Sequence, residues 1–169
     1  VYGFIGQAAG ATNPVTFIDD NIDPDAGDTP PGSRNPFDGA GNKPGCATYH
    51  QQRLVRAGSL NKIQTFEMSQ TRLFYNMSVA SPAKATDAIS WTIDDTEANE
   101  IRHMRSWKKD LFLFTSGGVW AAVTNGEPVK LDTLSVERQE NWGCSDIPPI
   151  LVGSEFLYIQ DDDVTVRNI

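Results

Sequence analysis

The chain has 169 residues, enough for one domain with a sizeable core or for two small ones, and its 39% hydrophobic and 21% charged content fits a folded, turn-rich protein better than a disordered one. A formal net charge of −8 argues against a surface that grips nucleic-acid phosphates, because such binding needs clustered Lys and Arg. No apolar run approaches the roughly 20 residues that span a bilayer, and no basic stretch followed by an apolar one opens the chain, so neither membrane nor signal peptide is expected.

Beginning at Val1 without a Met, the chain reads as a fragment of a larger protein. Residues 1–45 contain two short apolar stretches, "VYGFIG" and "PVTFI", and then "DDNIDPDAGDTPPGSRNPFDGAGNKPG", rich in Asp, Pro, Gly and Asn. That run has neither a period of two nor one of 3.6, so it is expected to be a long irregular connection over a surface. As a calcium loop of the EF-hand type it fails. Counting from Asp19, Asp19, Asn21 and Asp23 fill positions 1, 3 and 5, but Pro24 stands where Gly is needed and Pro30 where a bidentate Glu is needed. A different cation site from Asp19, Asp20, Asp23, Asp25 and Asp28 has the oxygens but no required spacing, and a solvated acidic loop is the simpler reading.

From residue 46 to 169 short apolar runs alternate with turn residues. "ATYHQQRLVRAGS" leads into "IQTFEMSQ", "LFLFTS" into "GVWAAV", and "EFLYIQ" into "VTVRNI", which predicts three hairpins. Further strands are expected in "DAISWTI", "EIRHMRSW", "SVERQ" and "PPILVG", and "DDTEANEIRHM" reads as a turn rather than a helix. The hairpins begin near Gln52, Lys109 and Ser154, a recurrence of about 57 and then 45 residues that suits the blades of a β-propeller. A β-sandwich gives similar intervals, and three units are too few to close a propeller ring. The expected fold is all-β, with propeller-like antiparallel blades over 46–169.

Candidate chemistry is sparse. Ser116 lies in "FTSGG" without a nucleophile-elbow pattern, and Gly117 and Gly118 are read as a turn requiring positive φ. His50 and His103 are the only histidines and sit among apolar neighbours as strand residues do. The carboxylate pairs Asp94 with Asp95 and Glu137 with Glu140 need a measured separation before they mean anything for glycoside hydrolysis. Asn76-Met77-Ser78 matches a glycosylation acceptor pattern, which is frequent by chance. Cys46 and Cys144 read as two isolated thiols. Trp91, Trp107, Trp120 and Trp142 are expected to pack, and Arg53, Arg56, Arg102, Arg105 and Arg138 to form fixed ion pairs or contacts to a neighbouring subunit. No catalytic residue, cofactor or metal ligand is predicted.

Several stretches, in order, resemble a known family. "FIDDNIDPDAGDTPPGSRNPF", "GNKPGCATYHQQRLVRAGSLNKIQTFEMSQ", "DAISWTIDDTEANEIRHM", "LFLFTSGGVWAAV" and "GCSDIPPILVGSEFLYIQ" are similar to the central part of the tail nozzle proteins of short-tailed bacteriophages, also called tail tubular protein B. The likeness runs from about Phe4 to Ile169, and its most specific pieces are "QQRLVRAGS" with "QTFEMSQ", the "TSGGVW" hairpin and "GCSDIPP". The chain departs from the pattern at "RLFYNMS", where an aromatic-rich segment is usual, and at Arg56, where an aromatic is common. The resemblance implies a structural virion component without enzymatic activity. Such a subunit would form a sixfold ring with copies of itself below the portal and its adaptor, near tail fibres or spikes. DNA would pass through this channel without specific binding. Assembly would take place in the host cytoplasm and the final location would be the virion tail. It also implies that the Asp-rich run is a connection. Two rivals are a tail module that binds host carbohydrate, needing exposed aromatic platforms beside amides or carboxylates, and a wall-degrading hydrolase.

Overall fold

The computed structural model describes residues 29–32 and 34–169. Among them there is no helix, and every strand pairing is antiparallel. Asp19, Asp20, Asp23, Asp25 and Asp28, with both apolar stretches before them, lie outside the described residues. The described part of the connection, 34–45, is irregular as expected, while β1 (Thr29–Gly32) pairs with β5 (Val79–Ser81) as a separate two-stranded ribbon.

The remaining strands form three meanders in chain order. The first sheet is β2 (Cys46–His50), β3 (Arg53–Ser59), β4 (Lys62–Met68) and β6 (Ile89–Thr92). The middle sheet is β7 (Ile101–Trp107), β8 (Asp110–Thr115), β9 (Val119–Val123) and β10 (Ser135–Glu140). The third is β11 (Ile150–Val152), β12 (Glu155–Ile159) and β13 (Val166–Asn168). The three expected hairpins are β3–β4, β8–β9 and β12–β13, and the extra strands at 89–92, 101–107, 135–140 and 150–152 are all present. No sheet closes on itself.

One expected run divides. "ATYHQQRLVRAGS" is two strands folded back at Gln51 and Gln52, with His50 facing Arg53. Both glutamines have positive φ, 42° and 62°, the backbone of a two-residue hairpin turn that Asn-Gly sequences normally announce. The turn is held by its surroundings, since the Gln51 side chain donates to the Lys109 carbonyl at 3.0 Å and accepts from the Val129 amide at 3.0 Å.

Period-two alternation on the middle sheet explains the layering. Leu111 and Leu113 point into a core with Val55, Phe66, Met68, Ile101 and Trp120, between the first and middle sheets. Phe112 and Phe114 point the other way, against Phe156 of the third sheet, with ring centroids 5.1 and 5.7 Å from it. A central strand covered on both faces has no polar side, which is why "LFLF" is a continuous apolar run. Burying each such side chain contributes about 1.5 to 3 kcal/mol.

The sheets also meet edge by edge. The first strands of two sheets lie together, β2 running beside β7, while Arg105 on β7 donates to the Pro149 carbonyl just before β11 at 3.0 Å. Gly58 permits the first of these approaches. It sits at an irregularity in β3 with φ of 69°, and a Cβ there would strike the Ile101 carbonyl.

Candidate interaction surface

The β3 strand carries Arg53 into the core because it shares a face with Val55 and Ala57. Its buried guanidinium donates to four carbonyls, those of Asp87 at 2.6 Å, Ser69 at 2.7 Å, Ala85 at 2.9 Å and Val129 at 3.3 Å. Burial lowers its pKa and nearby Asp87 opposes that effect. The expectation of an ion pair is therefore replaced by a carbonyl cage that ties three loops to β3. Asp87 itself accepts from the Ala80 and Lys84 amides at 2.9 and 2.8 Å.

The other arginines divide by environment. Arg102 pairs with Asp146 at 3.3 Å and with Asp161, and donates to the Cys144 carbonyl at 2.7 Å, joining the middle and third sheets. Arg138 pairs with Asp95 at 3.6 Å and lies over the Trp120 ring. Arg56 lies over Phe37 at 4.9 Å, and Arg105 takes the carbonyl already described. Arg34, which the sequence did not single out, makes the shortest of the described ion pairs to a buried carboxylate, 2.7 Å from Glu67.

His50 ends β2 buried, with Nδ1 2.8 Å from the Ser106 hydroxyl and Nε2 without a partner among the described residues. Burial pushes its pKa down to about 4, against a smaller opposing effect of Asp110. A base so far below neutral draws a serine proton poorly. His103 is half-buried; its pKa is lowered by burial, which outweighs the hydrogen bonds its ring donates to the backbone of Asp146 and Ser145. Ser116 is committed to its own loop, accepting from the Glu100 amide at 3.0 Å, and neither histidine is among its described partners.

Gly117 and Gly118 are a correction to the turn reading. Neither has positive φ; a Cβ on Gly117 would collide with the Asn99 side chain, and one on Gly118 would lie 2.7 Å from the Glu140 carbonyl. Close approach, not turn conformation, requires them.

The carboxylate pairs are not matched in environment. Asp95 is held by Asn99 at 2.9 Å and by Arg138, while Asp94 is exposed. Burial pushes the Asp95 pKa up, but Asn99, Arg138 and the Thr96 and Glu97 amides outweigh it, so the net shift is down. Glu137 is exposed and Glu140 half-buried. Asn76 is occupied locally: its amide donates to Gln70 at 2.9 Å and its oxygen accepts from the Ser78 amide at 2.9 Å. Both cysteines are free thiols, Cys144 buried and Cys46 half-buried. No group of three or more metal-ligating side chains occurs among the described residues, and no helix there is long and apolar enough to cross a membrane.

Trp120 is in the core and Trp91 and Trp107 pack against it or its neighbour cluster, whereas Trp142 is 47% exposed beneath Arg167, 4.1 Å above its ring. Two apolar patches lie on the surface. On the third sheet, Phe156 and Tyr158 face inward, so Leu157 and Ile159 face outward beside their cross-strand partners Ile150 and Val166. With Ile147 and Pro148 they line a shallow apolar groove. At the opposite side of the stack, Tyr49 stands on the outward face of β2, edge-to-face with Phe74 at 5.2 Å, next to exposed Leu73 and Tyr75. No protein-family model matches the chain, and no curated protein matches it.

Proposed function

We propose that this chain is a structural, non-enzymatic part of the tail nozzle of a short-tailed bacteriophage. In this reading, 46–169 forms blades of a β-propeller, and copies assemble as a sixfold ring below the portal and its adaptor, where DNA leaves the virion. The observation that carries it is the succession of antiparallel sheets packed face to face, with the first strands β2 and β7 side by side, as propeller blades stack around an axis. The sequence resemblance supplies the tail assignment, and the net charge of −8 suits a wall that repels phosphates instead of holding them.

Light scattering coupled to size exclusion, on this chain and on the longer protein that contains it, tests the reading. A mass near six subunits, alone or with the adaptor present, is expected. A strict monomer of the longer protein under both conditions would overturn the ring. The carbohydrate-binding alternative draws on exposed Tyr75, 89% accessible, and Trp142. It predicts that host glycans shield Trp142 from acrylamide quenching.

A further inference from the structure

The loop from β9 to β10 holds the only Asn-Gly pair in the sequence, Asn125-Gly126. The Glu127 amide donates to the Thr124 carbonyl at 3.0 Å across a turn in which Asn125 and Gly126 both have positive φ, 51° and 85°. Both residues are exposed and line an open cleft with Lys108, Lys109, Asp110 and Glu137. The turn's hydrogen bond uses neither the Gly126 amide nor the Asn125 side chain, and no other described bond occupies them. The other described asparagines are placed differently. Asn42, Asn61, Asn76, Asn99 and Asn168 each donate the side-chain amide to a neighbouring oxygen. Asn35 precedes Pro36, which has no amide hydrogen, and Asn141 precedes the bulky Trp142.

We propose that Asn125 is a site of self-modification in the folded chain, converted to aspartate and isoaspartate by its own backbone and water, and that this conversion loosens the loop's hold on the first sheet. Once deprotonated, the Gly126 amide nitrogen attacks the Asn125 side-chain carbonyl carbon; a succinimide ring closes and the side-chain nitrogen leaves as ammonia. Glycine opens this path because no Cβ screens its nitrogen. Water then opens the ring at either carbonyl. The sum is asparagine plus water giving a carboxylate and ammonium, with nothing oxidised or reduced. The product carboxylate joins Asp110 and Glu137 in the cleft and tips its balance against Lys108 and Lys109 to negative. Opening toward isoaspartate also inserts a methylene into the main chain just before Gly126, whose carbonyl accepts from Lys109 Nζ at 3.0 Å. Further along the same loop Val129 is clamped to the start of β3, its amide to Gln51 at 3.0 Å and its carbonyl to Arg53 at 3.3 Å. Lengthening the chain between these two anchors slackens both.

The full chain, held folded at pH 8 and digested at intervals for mass spectrometry, tests this. The peptide containing Asn125 should convert ahead of those containing the other asparagines, its mass raised by the difference between oxygen and NH, with isoaspartate as well as aspartate in the product. Asn125→Gln, whose closure needs a larger ring, should slow the change by more than about tenfold. In the aged chain the Val129 amide should exchange its hydrogen faster than in fresh chain, while Leu111 to Thr115 keep their rates. No conversion in the folded chain, whether or not urea permits it, would show the turn to be shielded and would overturn the site. Conversion that leaves Val129 exchange unchanged would overturn the loosening.

Discussion

Acidification should weaken this fold before any carboxylate network fails, and His50 is the reason. Its imidazole is 2% exposed, and its pKa falls from the ordinary 6.5 to about 4 because burial disfavours the cation, Asp110 opposing only in part. Between those values the unfolded chain binds a proton that the folded chain refuses. Stability therefore rises with pH across this window and is lost as pH falls from about 6.5 to about 4, at about 1.4 kcal/mol per pH unit, or about 3 kcal/mol in all. His103, also lowered by burial, adds a contribution of the same sign. Asp95 and Asp162, whose pKa values are held down, withdraw their stabilisation only as pH falls below the ordinary carboxylate range, so work above about pH 4.5 separates the effects. The perturbation is His50→Asn, which does not titrate. Urea unfolding at several pH values between 7 and 4.5 should show the variant less stable at neutral pH, having lost packing and the Ser106 contact, but with a shallower decline. Parallel declines for the two proteins, or a His50 titration near 6.5 followed by NMR, would refute the reasoning.

Three further outcomes follow from the geometry. Arg53→Leu should cost about 3 kcal/mol or more, because it removes the charged donor shared by four carbonyls, three of them in buried contacts; a urea midpoint within error of the parent would contradict the cage. Gly58→Ala should cost about 2 to 4 kcal/mol, combining positive φ with the collision at the Ile101 carbonyl, and should be visible as a lowered thermal midpoint. Burial raises the pKa of each cysteine to about 11, so at pH 8 both should react with an aromatic disulfide reagent far more slowly in the folded chain than in urea. Rapid labelling of either thiol in the folded state would show that the β2–β7 seam or the Cys144 loop opens readily.

The hairpins could be read in advance because their signals are local. Leu60-Asn61 separates two β-rich runs, and Gly117-Gly118 sits between "LFLFTS" and "VWAAV". The glycines located the bend, yet their physical reason was a neighbour eighteen and twenty-two residues away, Asn99 and Glu140, which no local pattern contains. The Gln51-Gln52 turn was hidden for a related cause: glutamine carries no preference for positive φ, and its conformation is fixed by Lys109 and Val129. Thr29–Gly32 contains two prolines, which disguise a strand that pairs only at an isolated ribbon. Alternation predicted that His50 and Arg53 belong to strands, but not that one would face Ser106 and the other four carbonyls. The exposed groove on the third sheet was legible only as "PPILVG" and "EFLYIQ", since which residues of an alternating strand stay uncovered depends on how many layers stack upon it.

The doubly covered middle sheet has a consequence for how the body opens. Its strands β8 and β9 are buried along most of both faces, so their central amide protons exchange only when an outer layer lifts away. Exchange should therefore be graded by depth, fastest at β11 and β13, intermediate in β2 and β6, and slowest along Leu111 to Thr115 and Val119 to Val123. A force or a docking partner acting on either outer sheet would be felt first as a change in that gradient, well before the centre yields.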